Sequence, residues 1–265
     1  MKFTEAMQFL ARKSVMPTAL RSWALQELPV ELLKRAFFSA GVEHAAFLQE
    51  GLDAVEAIVN ADLDRATARV QLRDMLDRLG YRPDPTEAGS LTDLSSDRRL
   101  NLILDTNAAQ ARAYGREKVE DAPEIRHAYP AAELVIVGAP PEVPRKWKTK
   151  LWPNAGGKLY EGRMIARKDD PIWTKPISAG GFNRFGNRYG PYDFNSTRRK
   201  RPVDRATAIR LGVIESDTEI APFEEGLNDN LSASAKRIAS PELLRAIRES
   251  GIATIDSEGR FVPSL

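Results

Sequence analysis

The sequence predicts an α+β protein with an N-terminal helical region, a central helix packed on a small mixed sheet with long aromatic and glycine-rich loops, and a C-terminal helix followed by a hairpin. Three observations predict this class. Residues 1–81 carry apolar side chains at helical spacing, and residues 131–140 (AAELVIVGAP) form a short branched run closed by glycine and proline. The last 26 residues combine a helix start, a helix stop and a hairpin signal.

The N-terminal region, residues 1–81, is expected to form a small helical bundle. Two of its helices have clear apolar stripes, formed by Leu48, Leu52, Val55 and Val59 in one and by Leu72, Met75, Leu76 and Leu79 in the other. The second helix is predicted to end at Gly80, because glycine readily adopts the left-handed conformation of a helix stop. The next segment, RPDPTEAGS (82–90), contains two prolines and a glycine, which predicts a linker.

The central helix begins the predicted second domain, residues 91–220. Ser95 or Ser96 is the expected N-cap, and Gly115 is the expected end. The buried face is predicted to consist of Leu100, Ile103, Leu104, Ala108 and Ala111. Thr106 and Asn107 belong to a polar interruption of this helix, and the Asn107 amide is expected to bond to a neighbouring loop.

Short strands and aromatic loops follow the central helix. The segment GGKLYEGRMIARKDDPIW is expected to form two short strands, and residues 176–202 are expected to be loops held by ring packing. Three tryptophans, Trp147, Trp152 and Trp173, cluster in this part of the chain.

The C-terminal extension, residues 221–265, carries signals for a helix and a hairpin. Ser240 is the expected cap, Pro241 the first helical residue and Gly251 the stop. A hairpin is predicted around residues 256–259.

Composition excludes several function classes. The 265 residues contain no cysteine, so disulfides, thiolate chemistry and cysteine zinc sites are excluded, and the two histidines, His44 and His127, exclude a multi-histidine metal site. No apolar run approaches the roughly 20 residues of a membrane helix, so no membrane partner is expected and a cytoplasmic origin is the simplest interpretation.

Positive charge is concentrated in residues 145–210. This segment has 17 Lys/Arg and 5 Asp/Glu, a net charge of +12, whereas the remainder has 22 and 32, a net charge of −10. Such asymmetry favours contact with a polyanion or an acidic protein face. The alternative is that the acidic and basic parts of the chain pair with each other.

The candidate contact residues surround the run RRKR, in which four adjacent cations repel one another and are best tolerated in solvent or against phosphate. They are Arg184, Arg188, Arg198, Arg199, Lys200 and Arg201. Tyr189 and Tyr192 add stacking surface of the kind that single-strand binders use. A solvated loop and a surface docked on an acidic neighbour remain open alternatives.

Candidates for catalysis are sparse. Asp169 and Asp170, with Glu161 and Lys168, loosely suggest a divalent-metal nuclease, but Asp-Asp-Pro is also a common turn opening. No nucleophile–histidine–acid set is evident, and no phosphate-loop spacing is present. The sequence therefore predicts no catalytic residue, no metal and no cofactor.

Several motifs in order carry a resemblance. They are the helical segment LLKRAFFSAGVEHAAFLQEG with its continuation, the central helix RRLNLILDTNAAQARAYG, the tryptophan-containing segment WKTKLWPNAGGKLYEGRMIARKDDPIW, and the closing GPYDFNS. Over residues 3–214 the chain resembles the phage Mu F-like minor head proteins (the phage head morphogenesis family), especially divergent prophage-borne members. Many relatives close with Asn-Cys-Arg-Cys and carry a histidine after the tryptophans. This chain has Asn195-Ser196-Thr197-Arg198 and no matching histidine.

The resemblance implies a structural framework. Its motif residues are Thr106, Asn107, Gly115, Trp147, Trp152, Trp173, Tyr192, Phe194 and Asn195, with Tyr192 and Phe194 as anchors and Asn195 as a turn-fixing amide. On this basis the basic run is expected to lie on the outside of a structural module.

The resemblance also implies a function. It implies a virion protein at the portal vertex or capsid interior, made in the host cytoplasm, that acts in head morphogenesis, DNA packaging or ejection. The implied partners are the portal or major capsid protein and packaged double-stranded DNA. Two alternatives remain open: a sequence-independent nucleic-acid-binding protein outside the particle, and a nuclease or transferase.

Overall fold

The chain forms an α+β fold, as the sequence predicted. The structure, a computed structural model, describes residues 4–138, 145–223, 235–238 and 240–263. The helices are α1 (Thr4–Leu10), α2 (Val30–Leu33), α3 (Ala45–Asn60), α4 (Arg65–Arg78), α5 (Asp97–Glu120), α6 (Pro123–Ala128), α7 (Trp152–Asn154), α8 (Arg205–Arg210) and α9 (Pro241–Glu249). The strands are β1 (Ser14–Val15), β2 (Ala36–Phe37), β3 (Ala131–Ile136), β4 (Leu159–Tyr160), β5 (Arg163–Arg167), β6 (Arg198–Val203), β7 (Ala253–Ile255) and β8 (Phe261–Pro263).

The chain divides into two compact units. The first combines Met1–Arg112 with Gly226–Leu265, and the second is Ala113–Glu225. The division therefore falls inside α5, whereas the sequence suggested a boundary at residues 82–90. Among the residues that the structure describes, no helix is both long and apolar enough to cross a membrane.

The helices of the first unit form largely where the sequence predicted. The predicted stripe of α3 (Leu48, Leu52, Val55 and Val59) is buried, and the Asp64 side chain caps α4 by accepting from the backbone N–H groups of Ala66 and Thr67. In α4, Leu72 and Leu76 are buried, but Leu79 is exposed because it forms the C-cap at the surface. The prediction was wrong for that residue.

The predicted linker is tied into the first unit by Asp93. The backbone N–H groups of Gly89 and Ser95 donate to its carboxylate at 2.8 and 2.9 Å. Tyr81, just before the segment, accepts a hydrogen bond from the backbone N–H of Leu94, just after it, at 2.9 Å. Residues 82–90 form exposed turns whose two flanks are bonded to each other.

Two predictions for α5 were wrong. The helix begins as expected, with Ser96 Oγ accepting from the Arg99 backbone N–H at 3.1 Å, but it runs through Gly115 to Glu120. A glycine costs a helix only about 1 kcal/mol, and the strong helix formers Arg-Glu-Lys follow it. Asn107 bonds within the helix instead of to a loop, since its amide donates to the Ile103 carbonyl at 2.9 Å. The predicted buried face of α5 is confirmed, since all five of its residues are buried.

The C-terminal segment completes the core of the first unit. Ser240 caps α9 by accepting from the Leu243 backbone N–H at 3.1 Å, and the β7–β8 hairpin follows, as predicted. Leu243, Ile247 and Phe261 are almost fully buried in one cluster with residues from the N-terminal part of the chain, among them Met16, Leu25, Leu28 and Leu32.

The second unit is built on a four-stranded sheet in the order β4-β5-β3-β6. Every neighbouring pair is antiparallel, so the expected mixed sheet was wrong. Short loops suffice for antiparallel neighbours: Glu161 and Gly162, both with positive φ, join β4 to β5. A parallel strand pair, β1–β2, lies in the first unit.

The two faces of the four-stranded sheet bury different residues. Face one carries Ala132, Leu134, Met164 and Ala166 and packs against the tryptophans. Face two carries Ala131, Ile165 and Val203 and packs against Ala208 of α8 and Ile214. The Asp204 side chain caps α8 by accepting from the Thr207 backbone N–H.

Candidate functional site

The basic run forms strand β6 rather than a loop. Arg198 and Lys200 lie opposite Ile136 and Leu134 of β3, and Arg199 and Arg201 lie opposite Val135 and Glu133. Successive side chains of a strand point to opposite faces. Arg198 and Lys200 therefore share the tryptophan face of the sheet, whereas Arg199 and Arg201 share the face of α8.

Lys200 is buried, contrary to the expectation that the run lies outside. Its Nζ atom is 2.7 Å from both carboxylate oxygens of Glu117, and its side chain is 9% exposed. Nζ also lies 5.4 Å from the Trp173 ring centroid, a cation–π contact. Burial lowers the pKa of Lys200, and the Glu117 carboxylate opposes that shift.

Arg188 belongs to the same buried cluster. Its Nε lies 3.2 Å from Oε1 of Glu117, and the two side chains are 13% and 6% exposed. The guanidinium also lies 5.1 Å from the Phe223 ring centroid. Glu117 thus balances two buried cations, and neither Arg188 nor Lys200 presents its charge to an external partner.

Arg201 and Arg199 occupy the opposite face. Arg201 Nη2 donates to Glu133 Oε2 at 2.6 Å, and Arg163 donates to the same oxygen at 2.7 Å. Burial opposes ionisation of Glu133, but these two hydrogen bonds outweigh it and hold the Glu133 pKa below its usual value. Arg199 Nη1 donates to the carbonyls of Ser196 and Arg198 at 2.9 and 2.8 Å.

Asp193 of the closing motif joins two arginines. Arg184 Nε donates to Asp193 Oδ1 at 2.6 Å, and Arg145 Nη1 donates to Oδ2 at 2.9 Å. Asp193 also accepts from the Phe194 backbone N–H at 2.8 Å. The Asp193 carboxylate therefore fixes the closing loop and neutralises the charge of Arg184.

Four aromatic residues of the resemblance motifs, together with Phe182, form a continuous frame. Trp152 and Trp173 contact edge to face at 5.5 Å between centroids, Trp173 stacks with Tyr192 at 6.2 Å, and Phe182 joins Trp147, Trp152 and Tyr192 at 5.4, 5.9 and 5.2 Å. The indole N–H groups are satisfied, since Trp152 donates to the Lys158 carbonyl and Trp173 to the Arg167 carbonyl, both at 2.7 Å. Gly157 lets the chain approach Trp152, because a Cβ there would lie 2.3 Å from the ring. Tyr192 is an anchor, as expected.

The other closing-motif residues hold the turn. Asn195 has a φ of +54°, a conformation that asparagine tolerates better than most residues. Phe194 is 37% exposed, and its ring meets Phe185 edge to face at 5.0 Å. It is therefore a peripheral contact rather than a buried anchor.

Asn183 is a structural residue that sequence reasoning missed. Its side chain is fully buried, its amide donates to the carbonyls of Trp173 and Asn187 at 2.5 Å, and its Oδ1 accepts from the backbone N–H groups of Phe185 and Gly186 at 3.0 and 2.9 Å. Nothing in an isolated asparagine between Phe and Arg signals that role.

Four exposed lysines that sequence reasoning missed lie beside the tryptophan frame, together with the half-buried Arg198 that it named. Lys148 and Lys150 lie in a single π-helical turn, Trp147–Leu151, Lys146 directly precedes it, and all three are exposed. Lys158 is exposed beside Trp152, and the Arg198 guanidinium lies 5.2 Å from the Trp147 ring centroid. We call Lys146, Lys148, Lys150, Lys158 and Arg198 the frame-side basic surface. The alternating lysines of RKWKTK were the available sequence signal.

The suspected nuclease residues have other partners. Asp169 accepts from the Arg167 guanidinium at 2.9 and 2.7 Å and from the Ala221 backbone N–H at 3.0 Å. Asp170 caps a short 3₁₀ helix by accepting from the Ile172 backbone N–H at 2.8 Å. Glu161 pairs with Arg210 at 3.0 Å. Lys168 pairs with Glu120 at 3.2 Å. Across the described ranges, no three His, Asp or Glu side chains converge as metal ligands would.

Comparison with protein-family models, with curated proteins and with solved structures gave no match.

Proposed function

We propose that this protein is a structural minor head protein of a tailed phage or prophage, acting in head morphogenesis, DNA packaging or ejection near the portal. The proposal starts from the resemblance in motif order over residues 3–214. The partners it implies are the portal or major capsid protein and packaged DNA.

One observation carries the proposal: four aromatic motif residues of the resemblance meet in a single frame. Trp147, Trp152, Trp173 and Tyr192 are separated by up to 45 residues in the sequence, yet their rings and that of Phe182 pack into one cluster. Aromatic side chains that are buried against one another support a structural role for this part of the chain rather than a catalytic one.

The charged residues also support a framework. In the second unit the carboxylates of Glu117, Glu133, Asp193 and Asp169 each bind one or two cations of the basic segment. Such carboxylates are neutralised by fixed partners, whereas a general base needs access to a substrate proton. A protein that assembles or binds is therefore favoured over a nuclease or transferase.

The test is incorporation into particles. An epitope-tagged chain is expressed in the cells that produce the phage, and heads are purified on a density gradient after nuclease treatment. We expect the tag to sediment with heads at low copy number, and we expect deletion of the gene to reduce the yield of DNA-filled heads. A tag confined to the soluble fraction, with unchanged yield of filled heads in the deletion, would refute the proposal.

The second candidate is a sequence-independent nucleic-acid-binding protein that acts outside the particle. The frame-side basic surface is the observation that favours it. The same gradient separates the two candidates, because such a protein leaves the head fraction once free nucleic acid is digested.

A further inference from the structure

Most of the positive charge of the basic segment is internal. Glu117, Glu120 and Glu133 come from outside residues 145–210 and together pair with five cations of that segment, namely Lys168, Arg188, Lys200, Arg163 and Arg201. Asp193, Asp169 and Glu161 pair with four more, Arg145, Arg184, Arg167 and Arg210. Nine of the 17 cations of the segment therefore have a carboxylate partner within the chain, and three of the six carboxylates involved come from outside the segment.

Eight cations of the segment have no carboxylate partner in the described ranges. Lys175, Arg199 and Arg205 donate to backbone carbonyls, and the other five form the frame-side basic surface. No carboxylate of the described ranges pairs with Lys146, Lys148, Lys150, Lys158 or Arg198. Arg198 is held by the face of the Trp147 ring, which leaves the edge of its guanidinium available for hydrogen bonds to an oxyanion. All five cations lie around Trp147 and Trp152 within the second unit.

The surroundings of these cations favour a duplex over a single strand. Proteins that bind single strands present exposed aromatic faces on which bases stack. Here Trp147 is 6% exposed, and Trp152, Trp173, Tyr189 and Tyr192 are 0–2% exposed, so the faces of these rings are buried. Five cations beside buried tryptophan rings fit a closely spaced row of phosphates, and duplex DNA has the higher charge density.

We propose that Lys146, Lys148, Lys150, Lys158 and Arg198 form a surface that binds the phosphate backbone of duplex DNA without regard to base sequence. The proposal rests on the proposed function for its partner, the genome packaged in the head. This surface replaces the run Arg198–Arg201 as the proposed DNA contact. Arg198 belongs to both, whereas Lys200 is excluded because its side chain is buried against Glu117.

The test uses the whole purified chain and two fluorescent 30-base-pair duplexes of unrelated sequence. We expect equal binding of the two duplexes at low salt and a logarithmic affinity that falls linearly with the logarithm of the salt concentration. The variant Lys146→Gln/Lys148→Gln/Lys150→Gln should reduce the steepness of that line by about 2.7, since each phosphate contact contributes about 0.9. Its affinity at 0.1 M salt should fall more than about tenfold.

A matched control removes three exposed cations elsewhere. The variant Arg12→Gln/Arg78→Gln/Arg82→Gln loses the same charge in the first unit and should leave the salt dependence nearly unchanged. An equal loss of affinity in both variants would overturn the assignment to this surface. Thermal unfolding of both variants shows whether each is folded.

Two further outcomes would overturn the proposal. Absence of duplex binding at micromolar protein and low salt would leave an acidic protein face as the partner of these cations. Tighter binding to a single strand of equal length would contradict the choice of duplex. Failure here is distinguishable from failure of the proposed function: a protein found in heads that does not bind DNA refutes the surface alone, and a protein that binds DNA but is absent from heads refutes the head role alone.

Discussion

Lys200 and Glu117 form a buried ion pair across 83 residues of sequence, with Lys200 Nζ 2.7 Å from each carboxylate oxygen. Glu117 stands on α5 and Lys200 on β6, so the pair holds the last turn of the helix against the tryptophan face of the sheet. Arg188 adds a second cation at 3.2 Å. Lys200 was expected to contact an external partner, but it instead stabilises the fold through this ion pair.

The first prediction concerns this ion pair. Glu117→Gln removes the carboxylate that balances both Lys200 and Arg188, and we expect a loss of about 3–5 kcal/mol in the free energy of unfolding, because uncompensated charges stay buried. Lys200→Met should cost less, since Arg188 still pairs with Glu117 and methionine fills the space. Urea unfolding at neutral pH measures both.

Arg201→Met is the matched control for the ion pair. The Arg201 side chain is 60% exposed, so its bond to Glu133 should contribute no more than about 1 kcal/mol. A larger loss in Arg201→Met than in Glu117→Gln would show that the side chains of β6 point to the opposite faces of the sheet, with Arg201 buried and Lys200 exposed.

The second prediction concerns Asn183. Asn183→Ala leaves two backbone N–H groups and two carbonyls without their buried partner, and we expect a loss of about 3 kcal/mol or more. Asn183→Asp keeps the shape but turns an acceptor towards the carbonyls of Trp173 and Asn187, so it should be at least as harmful. The exposed Asn154→Ala should stay within about 0.5 kcal/mol of the wild type. Equal thermal stability of all three variants would contradict this role.

The third prediction concerns pH. Lys13 in the first unit is 7% exposed, its Nζ lies 3.4 Å from the carbonyls of Lys34 and Ala36, and burial lowers its pKa to about 7. Between this value and the ordinary 10.5, the unfolded chain binds more protons than the folded one, so this contribution to stability rises with pH across that window. Below about pH 7 both states are protonated and the contribution is constant.

Lys13→Met should remove that rise. We expect the free energy of unfolding of the wild type to gain up to about 1.4 kcal/mol per pH unit relative to Lys13→Met between pH 7 and 10. The pKa of Lys34 is lowered to about 8, first by burial, and its similar contribution is common to both proteins. The exposed Lys148→Met should keep the wild-type profile, and a profile for Lys13→Met parallel to the wild type would rule out a buried neutralised lysine.

The fourth prediction separates the exposed tryptophan from the frame. Trp23 is 75% exposed, whereas Trp147 is 6% exposed and Trp152 and Trp173 are fully buried. Acrylamide should quench one fraction of the fluorescence readily, and Trp23→Phe should remove that fraction. A quenchable fraction that survives in Trp23→Phe would mean that the frame is open to solvent.

The fifth prediction concerns the segment 82–90. A specific protease site inserted between Glu87 and Ala88 should be cleaved readily, because these turns are exposed. The two fragments should nevertheless elute together on size exclusion, since both flanks of the cut belong to the same unit and Arg99 Nη2 bonds to Ser39 Oγ at 2.6 Å across it. Fragments that separate in native buffer would favour the boundary that the sequence suggested.

The sequence predicted local structure correctly where interactions between residues close in sequence determine it. The Ser240 cap, the stripe of α3 and the strand at residues 131–136 follow from residue type and spacing, since they depend on neighbours within a few positions. The end of α5 was misplaced at Gly115, because the small intrinsic cost of one glycine was outweighed by the helix formers after it and by the contacts of its last turn.

What the sequence by itself determined is the type of the elements and the residues that pack as apolar or aromatic. What only the tertiary structure decided is the environment of each charge. The run of four cations at 198–201 is uniform in sequence, but a strand sends alternate side chains to opposite faces, and each face meets a different distant carboxylate, Glu117 on one and Glu133 on the other. Those contacts join residues 68 to 83 positions apart, and their energy depends on distance and burial, which spacing along the chain does not encode.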